Sequence, residues 1–138
     1  MNHNPIRISI IDNHKIVRKS WKMLLANSLE IQVVSDSDDS PDAVDLVLKH
    51  QPDVVLLDFN HHSTHSFSIA EKLFLLLPSI KIVCLSMKKS VPFAKRVMAM
   101  GIKGYLTKTS SLEETLEGIQ RVHRGEIYIC HEMKEALS

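Results

Sequence analysis

Cysteine and long apolar runs are scarce in this sequence of 138 residues. Its two cysteines, Cys84 and Cys130, form no CxxC or other metal-binding spacing, and Cys84 stands in the apolar run IVCL, where a small buried thiol is expected. The longest apolar runs are far below the roughly 20 residues that cross a bilayer, and the N-terminus lacks the apolar segment of a secretory signal. We therefore expect a cytoplasmic protein without a membrane partner.

An excess of charge of either sign is also lacking, because the formal net charge is only +1. No global field therefore draws this chain toward nucleic acid or an anionic membrane, and DNA binding would have to come from a region outside it. The length fits one domain better than two, and a chain of this size buries a substantial core without disulfides or structural metals.

What the sequence does contain is five short apolar runs that alternate with helical patterns. Their bounds are Ile6 to Ile11, Ile31 to Ser35, Val54 to Asp58, Ile80 to Ser86 and Gly104 to Thr107. The third and fourth runs contain VVLLD and IVCLS, which are almost continuously apolar and rich in β-branched residues. Such runs are typical of parallel strands that are covered on both faces.

A helical pattern follows each of the five runs. These patterns cover residues 14–27, 41–50, 67–77 and 91–100, and a last helix opens with a capping box at Ser111 and closes at Gly125. Strands that alternate with helices at this spacing imply right-handed crossovers, and hence a parallel sheet with helices on both faces. The sequence thus predicts a flavodoxin-like (βα)5 three-layer sandwich with strand order 2-1-3-4-5.

Polar residues end four of the predicted strands. Asp12 and Asn13 follow the first strand, Asp58 ends the third, Ser86 ends the fourth and Lys108 follows the fifth. Ligands bind at this edge of such sheets, and acids gathered there need a lysine or a hard cation such as Mg²⁺ among them. A carboxylate, a divalent ion, a hydroxyl and a lysine are the groups that receive a phosphoryl group.

Over nearly its whole length the sequence closely resembles the CheY-like receiver domain of bacterial two-component response regulators. The matching stretches are RISIIDNHKIVRKSW, PDVVLLDFN, IVCLSM and GIKGYLTKTSSLEE. The last stretch, together with RVHRGEIYI, resembles the NarL/FixJ subgroup, whose members usually add a C-terminal helix-turn-helix. On this basis we expect a receiver domain at residues 1–128, followed at 129–138 by a tail or the start of a linker to an output domain outside the chain.

The resemblance also implies a role for each of seven positions. They are Asp58 as the phospho-acceptor, Asp12 and Asn13 at the acidic-pair positions, Asn60 offering its backbone carbonyl to Mg²⁺, Ser86 as the switch hydroxyl, Tyr105 as the aromatic rotamer switch and Lys108 as the phosphate-binding lysine. The implied protein is a switch, not an enzyme. A sensor histidine kinase phosphorylates it, and the surface of the fourth and fifth helices then changes its partner, usually with homodimerisation and control of DNA through the output domain.

Two departures from the family pattern affect the expected site. Receivers usually carry a second acid at the position of Asn13, and the amide removes one negative charge, so we expect weakened Mg²⁺ binding. The loop after Asn60 reads His61 to Ser66 and lacks the Pro and Gly that commonly set its turn. Its histidines at 61, 62 and 65 also raise the alternative of a transition-metal site, although solvated loop histidines are the simpler interpretation.

Two other functions stay open at the level of sequence. The departures raise the alternative of a pseudo-receiver, which keeps the fold but acts as an interaction module independent of phosphorylation. A flavodoxin-type electron carrier would need a phosphate loop after the first strand and aromatic residues around a flavin. That loop here contains Asp12, and aromatic residues make up only 5% of the chain, so this hypothesis is poorly supported.

Overall fold

The described part of the chain comprises residues 4–59, 65–87 and 89–137 of a computed structural model, and it alternates six strands with six helices. The strands are β1 Ile6–Ile11, β2 Ile31–Ser37, β3 Val54–Asp58, β4 Lys81–Ser86, β5 Gly104–Thr107 and β6 Tyr128–Ile129. The helices are α1 Lys15–Ala26, α2 Asp42–His50, α3 His65–Leu76, α4 Val91–Ala99, α5 Leu112–His123 and α6 His131–Leu137.

All six strands form one parallel sheet in the order β2-β1-β3-β4-β5-β6. The predicted order 2-1-3-4-5 is therefore confirmed, with a sixth strand added at one edge. The chain runs outward from β1 to β2 in one direction and from β3 to β5 in the other. The order reverses between β1 and β3, so a crevice is expected at the carboxyl ends of these two strands.

The central strands are buried on both faces, as their apolar composition predicts. Every residue of β3 is buried, and only Lys81 of β4 is partly exposed. The Cys84 side chain is fully buried within β4, as expected from the sequence. None of the helices in the described ranges combines the length and the apolarity that crossing a membrane requires.

Helices cover both faces of the sheet. Trp21 of α1 and Leu112 of α5 line one shared groove, which places these two helices on the same side. On the other side α2 contacts α3, and the rings of Phe67 in α3 and Phe93 in α4 meet edge to face at 5.9 Å. The predicted three-layer sandwich is therefore confirmed.

The ends of α5 show how local sequence sets a helix boundary. The hydroxyl of Ser111 accepts the N–H of Glu114 over 3.0 Å, which satisfies one of the free amides of the first turn. The predicted capping box is only half made, because the Glu114 carboxylate instead accepts the hydroxyl of Tyr128 and the N–H of His131. Gly125 ends the helix at φ +90°, a conformation that glycine adopts at little cost.

The segment after residue 127 contains a strand and a helix that the sequence pattern does not predict. β6 pairs in parallel with β5, and the side chains of Cys130 and of Met133 in α6 are fully buried. A strand of two residues is too short to show a periodicity, and only its contacts with β5 and Glu114 define it. The boundary between a domain at 1–128 and a following linker remains a prediction.

Candidate functional site

The two acids of the predicted site lie side by side at the carboxyl edge of the sheet. Asp58 is the last residue of β3, and Asp12 directly follows β1, which pairs with β3. Both residues are buried, with exposed fractions of 6% for Asp58 and 1% for Asp12. They stand at the point where the strand order reverses, which is where open α/β sheets bind their ligands.

Lys108 bridges these two carboxylates. Its Nζ lies 2.9 Å from Oδ1 of Asp58 and 3.2 Å from Oδ2 of Asp12. The backbone N–H of Lys108 donates to the carbonyl oxygen of Ser86 over 3.0 Å, which ties the turn after β5 to the end of β4. Because only 9% of the lysine side chain is exposed, solvent screens these ion pairs weakly.

One negative charge remains uncompensated in this pocket, since two carboxylates face a single ammonium group. Burial raises the pKa of the Asp58 carboxyl above its ordinary value. The hydrogen bond from Lys108 lowers this pKa, and the neighbouring charge of Asp12 raises it. Burial is the largest of these causes, so the ionised carboxylate of Asp58 lacks part of the solvation that it would have in water. An additional cation would therefore stabilise the site.

The backbones that carry both acids are held by side chains from neighbouring helices. The hydroxyl of Ser66, buried at the start of α3, donates to the carbonyl oxygen of Asp58 over 2.5 Å. Arg18 of α1 donates to the carbonyl oxygen of Asp12 over 2.8 Å and also pairs with Asp36. These contacts restrict where the two carboxylates can point.

The two predicted switch residues lie beside the pocket and contact each other. Ser86 and Tyr105 are fully buried, and their hydroxyl groups are hydrogen bonded. Burial raises the pKa of Tyr105 to about 12, so its hydroxyl remains protonated at physiological pH. The aromatic ring is therefore packed inward, with its hydroxyl on the residue that ends β4.

Asn13, which follows Asp12 at the predicted acidic-pair position, is hydrogen bonded to a neighbouring loop, and its role as a metal ligand remains a prediction. Its amide oxygen, Oδ1, accepts the backbone N–H of Asp39 over 3.0 Å and so connects the loop after β1 to the loop after β2. This contact satisfies a backbone N–H that would otherwise need another partner. The sequence could not show this contact, which joins residues 26 positions apart.

His14, the next residue along the chain, lies near the two acids. Its Nδ1 lies 3.3 Å from Oδ1 of Asp12 and 3.8 Å from Oδ2 of Asp58. The backbone N–H of His14 also donates to Oδ1 of Asp12 over 2.8 Å, and this local turn folds the imidazole back over the strand end. His14 was not among the predicted site residues, although its position two residues after a strand-end aspartate is a usable signal.

Three of the predicted residues lie outside the described ranges. They are Asn60, expected to offer its carbonyl to the metal, and His61 and His62 of the alternative transition-metal site. His65 is described, and its Nδ1 lies 3.4 Å from Oδ2 of Asp39. Within the described ranges, one group of His, Cys, Asp and Glu residues has metal-binding geometry, formed by Asp12, His14 and Asp58.

The fold and the site together define a class of protein. It is a doubly wound α/β domain with an acidic crevice at its switch point, where two buried carboxylates share one lysine. A family model described as the response regulator receiver domain matches residues 8–120. The chain therefore belongs to the response regulator receiver domain family, and the resemblance to receivers of the NarL/FixJ subgroup is confirmed.

Curated relatives agree with this assignment. The chain is 34% identical over 129 residues to the transcriptional regulatory protein DegU of Brevibacillus brevis. This alignment covers 94% of this chain and 55% of DegU. It is 32% identical over 133 residues to the response regulator GacA of Pseudomonas aeruginosa, covering 96% of this chain and 62% of GacA. The chain thus spans less than two thirds of the length of these relatives.

Solved structures show the same fold. A LuxR-family two-component response regulator from Aurantimonas superposes with a TM-score of 0.90 at 22% identity, covering 97% of this chain and 96% of that one. The isolated receiver domain of RcsB from Salmonella enterica, determined with the phosphomimetic BeF3⁻, superposes with a TM-score of 0.85 at 18% identity, covering 98% and 100% of the two chains.

Proposed function

We propose that Asp58 accepts a phosphoryl group from a sensor histidine kinase and that this modification switches an output domain outside these 138 residues. The observation that carries the proposal is the Lys108 ammonium group, held between the carboxylates of Asp58 and Asp12 at 2.9 and 3.2 Å. A buried carboxylate with a fixed cation beside it can attack phosphorus while the new negative charge is neutralised. Family membership supports the same reaction.

Mg²⁺ is the metal that the family implies for this chemistry, and the donor set fits it. Asp12 and Asp58 supply hard carboxylate oxygens, and each turns one oxygen to Lys108 and the other away from it. These two residues would hold the ion, which would supply positive charge to the phosphoryl oxygens. The uncompensated negative charge of the pocket favours such binding.

The transfer requires little of the protein beyond positioning and charge. A carboxylate oxygen of Asp58 forms a bond to phosphorus while the P–N bond to the kinase imidazole breaks. The electron pair of that bond stays on the nitrogen, which takes up a proton from solvent. Lys108 then exchanges its contact with the free carboxylate for one with the phosphoryl oxygens, which keeps their charge paired.

The route to an output domain is proposed to run through the loops that follow β4 and β5. A phosphoryl oxygen would compete for the hydroxyl of Ser86, which is now bonded to Tyr105. The C-terminal helix α6 touches both loops, since Glu132 pairs with Lys89 at 2.9 Å and accepts the hydroxyl of Thr109 at 3.1 Å. A change at the site is thereby coupled to the end of the chain.

The relatives' names support an output in transcription. DegU is a transcriptional regulatory protein, and the chain spans only part of its length. We propose that this receiver likewise controls a DNA-binding domain in a longer protein. Homodimerisation on phosphorylation remains a prediction from the family resemblance.

Phosphorylation by a small phosphodonor tests the proposal. With acetyl phosphate and Mg²⁺, intact mass spectrometry should show a gain of one PO₃ per chain, and omission of Mg²⁺ should reduce it strongly. Asp58→Asn should abolish the gain because the nucleophile is lost. Asp45→Asn on the exposed face of α2 is the matched control and should react like the wild type. Equal labelling of the wild type and Asp58→Asn would exclude Asp58 as the acceptor.

A pseudo-receiver is the second candidate, and the position of Asn13 favours it. Because residue 13 is an asparagine, the site has one acid fewer than the family pattern, and among the described residues Asp12 and Asp58 supply its carboxylates. An added carboxylate at position 13 should raise the affinity for Mg²⁺ by about tenfold, since one charge interaction near a protein surface is worth a few kcal/mol before desolvation.

The variant Asn13→Asp separates the two functions. If the wild type is a working receiver, it is labelled in Mg²⁺ and the variant is labelled several-fold faster. If the wild type is a pseudo-receiver, labelling is absent at millimolar Mg²⁺ and is present only in the variant. The magnesium affinities themselves are measured by isothermal titration.

A further inference from the structure

We infer that Ser66 is a positioning residue for phosphoryl transfer, because its hydroxyl fixes the peptide unit that follows Asp58 and thereby the direction of the nucleophilic carboxylate. The inference rests on the proposed function and deepens it by adding a residue of α3 to the reaction site. The observation is the hydrogen bond from the hydroxyl of Ser66 to the carbonyl oxygen of Asp58, over 2.5 Å, between two buried residues.

The peptide unit between Asp58 and Phe59 is held at both ends. Its carbonyl oxygen accepts the hydroxyl of Ser66, and its N–H donates to the carbonyl oxygen of Leu85 in β4 over 2.8 Å. A peptide unit is planar, so bonds at opposite ends of it fix its orientation. Together with the strand before it, this orientation determines the direction in which the Asp58 side chain leaves the end of β3.

Phe67, the next residue of α3, contacts the other residue of this peptide unit. The rings of Phe67 and Phe59 meet edge to face at 5.0 Å, and the ring of Phe93 in α4 lies 6.4 Å from that of Phe59. Ring packing of this kind resists translation of the strand end. It forms no directional bond to the backbone, so the orientation of the Asp58 carbonyl group depends on the hydroxyl of Ser66.

The direction of the Asp58 carboxylate matters because the reaction requires two contacts from it. Its Oδ1 lies 2.9 Å from the ammonium group of Lys108, and a carboxylate oxygen must approach phosphorus in line with the bond that breaks. Misplacement by about 1 Å can slow such a reaction by roughly 100-fold. Loss of one of the two bonds on the peptide unit is a smaller disturbance, for which we expect a loss of about tenfold.

The variant Ser66→Ala removes only the hydroxyl group and tests the inference. With acetyl phosphate and Mg²⁺, an oxygen of Asp58 forms a bond to phosphorus while the P–O bond of the donor breaks and acetate leaves. The maximal rate of labelling should fall about tenfold, while the half-saturating concentration of acetyl phosphate should stay within about twofold, because the hydroxyl bonds the backbone. Ser66→Thr retains a hydroxyl and should recover most of the rate.

Thr115→Val is the matched control, because the hydroxyl of Thr115 belongs to another buried residue and also donates to a backbone carbonyl oxygen, that of Ser111, over 2.9 Å. The control should keep the wild-type rate, and circular dichroism verifies that each variant is folded. An unchanged maximal rate in Ser66→Ala, or an equal loss of rate in Thr115→Val, would overturn the inference.

A cycle of variants in urea unfolding tests the same inference without phosphorylation. If Ser66 directs the Asp58 carboxylate toward Lys108, the hydroxyl and the ammonium group act together. The double variant Ser66→Ala with Lys108→Met should then lose less stability than the two single variants predict, by about fivefold in the unfolding equilibrium constant. Thr115→Val with Lys108→Met should show no such difference. Absence of labelling in the wild type would contradict the proposed function alone, whereas additive losses in this cycle would contradict the role of Ser66.

Discussion

Replacement of Lys108 by methionine is expected to lower the free energy of unfolding of the metal-free protein by about 3 kcal/mol at neutral pH. Methionine fills a similar volume without the ammonium group. The carboxylates of Asp12 and Asp58 are then left buried side by side with no cation between them. The cost of leaving a buried charge unpaired exceeds the small gain from an apolar side chain, so the variant is expected to be less stable than the wild type. Urea unfolding measures the difference.

Two conditions should reduce the effect of Lys108→Met. Burial already raises the pKa of Asp58, so the folded state holds its proton at higher pH than the unfolded chain does. The carboxyl therefore stabilises the fold below its unfolded pKa near 4, and this stabilisation is lost as the pH rises through the folded pKa. The deficit of the variant should accordingly shrink as the pH falls toward 5. Added Mg²⁺ should also stabilise the variant more than the wild type, because a cation replaces the ammonium group.

Lys95→Met is the matched control for this prediction, since Lys95 is exposed on α4. Its free energy of unfolding should stay within about 0.5 kcal/mol of the wild-type value. Equal stabilities of Lys108→Met and the wild type in metal-free buffer would contradict the ion pairs on which the site is built.

Gly104→Ala is expected to lower the free energy of unfolding by about 2 kcal/mol. A Cβ at this position of β5 would stand 2.9 Å from Cγ2 of Val83 and 3.0 Å from Cγ2 of Val122. Both valines are fully buried and β-branched, so they cannot rotate away. Overpacking of this kind destabilises a folded protein by up to about 3 kcal/mol. Alanine also restricts the unfolded chain more than glycine does, but this stabilises the variant by less than about 1 kcal/mol.

The double variant Gly104→Ala with Val83→Ala tests the cause of this loss. Val83 is the direct partner of Gly104 across the β4–β5 pair, so its truncation removes the closest contact. The two changes should cost less together than the sum of the single variants. Gly118→Ala is the control, because the neighbours of its added Cβ are a leucine and a tyrosine side chain at 3.1 Å or more, and it should cost clearly less than Gly104→Ala. Additive losses in the double variant would contradict the steric explanation.

Much of the fold was predictable because it follows from patterns that are local in the chain. Uninterrupted apolar runs such as VVLLD indicate strands covered on both faces, and their alternation with amphipathic helices restricts the sheet to parallel order. In a parallel sheet all carboxyl ends lie at one edge, so Asp58 and Lys108 were expected to meet although they are 50 positions apart. The contact at 2.9 Å agrees with that expectation.

Other features of the site could not be predicted because they depend on which of several possible partners a side chain contacts in the folded structure. Asn13 accepts the N–H of Asp39 in the loop after β2, and the sequence does not show which N–H lies within its reach. His14 reaches Asp12 and Asp58 only through the turn that Asp12 imposes on the backbone. The short strand β6 likewise exists only through its pairing with β5.

The order of residues along the chain was by itself sufficient to predict a parallel α/β sheet with acids and a lysine at one edge, and the resemblance of its motifs to receivers then indicated the function. It could do so because strand and helix periodicity is a local property, and the parallel crossover then determines where strand ends meet. Only the folded structure decided that the histidine at position 14 lies near the acids and that the amide at position 13 contacts a neighbouring loop. Both arrangements depend on contacts between segments distant in sequence, whose energies differ by no more than a hydrogen bond or two.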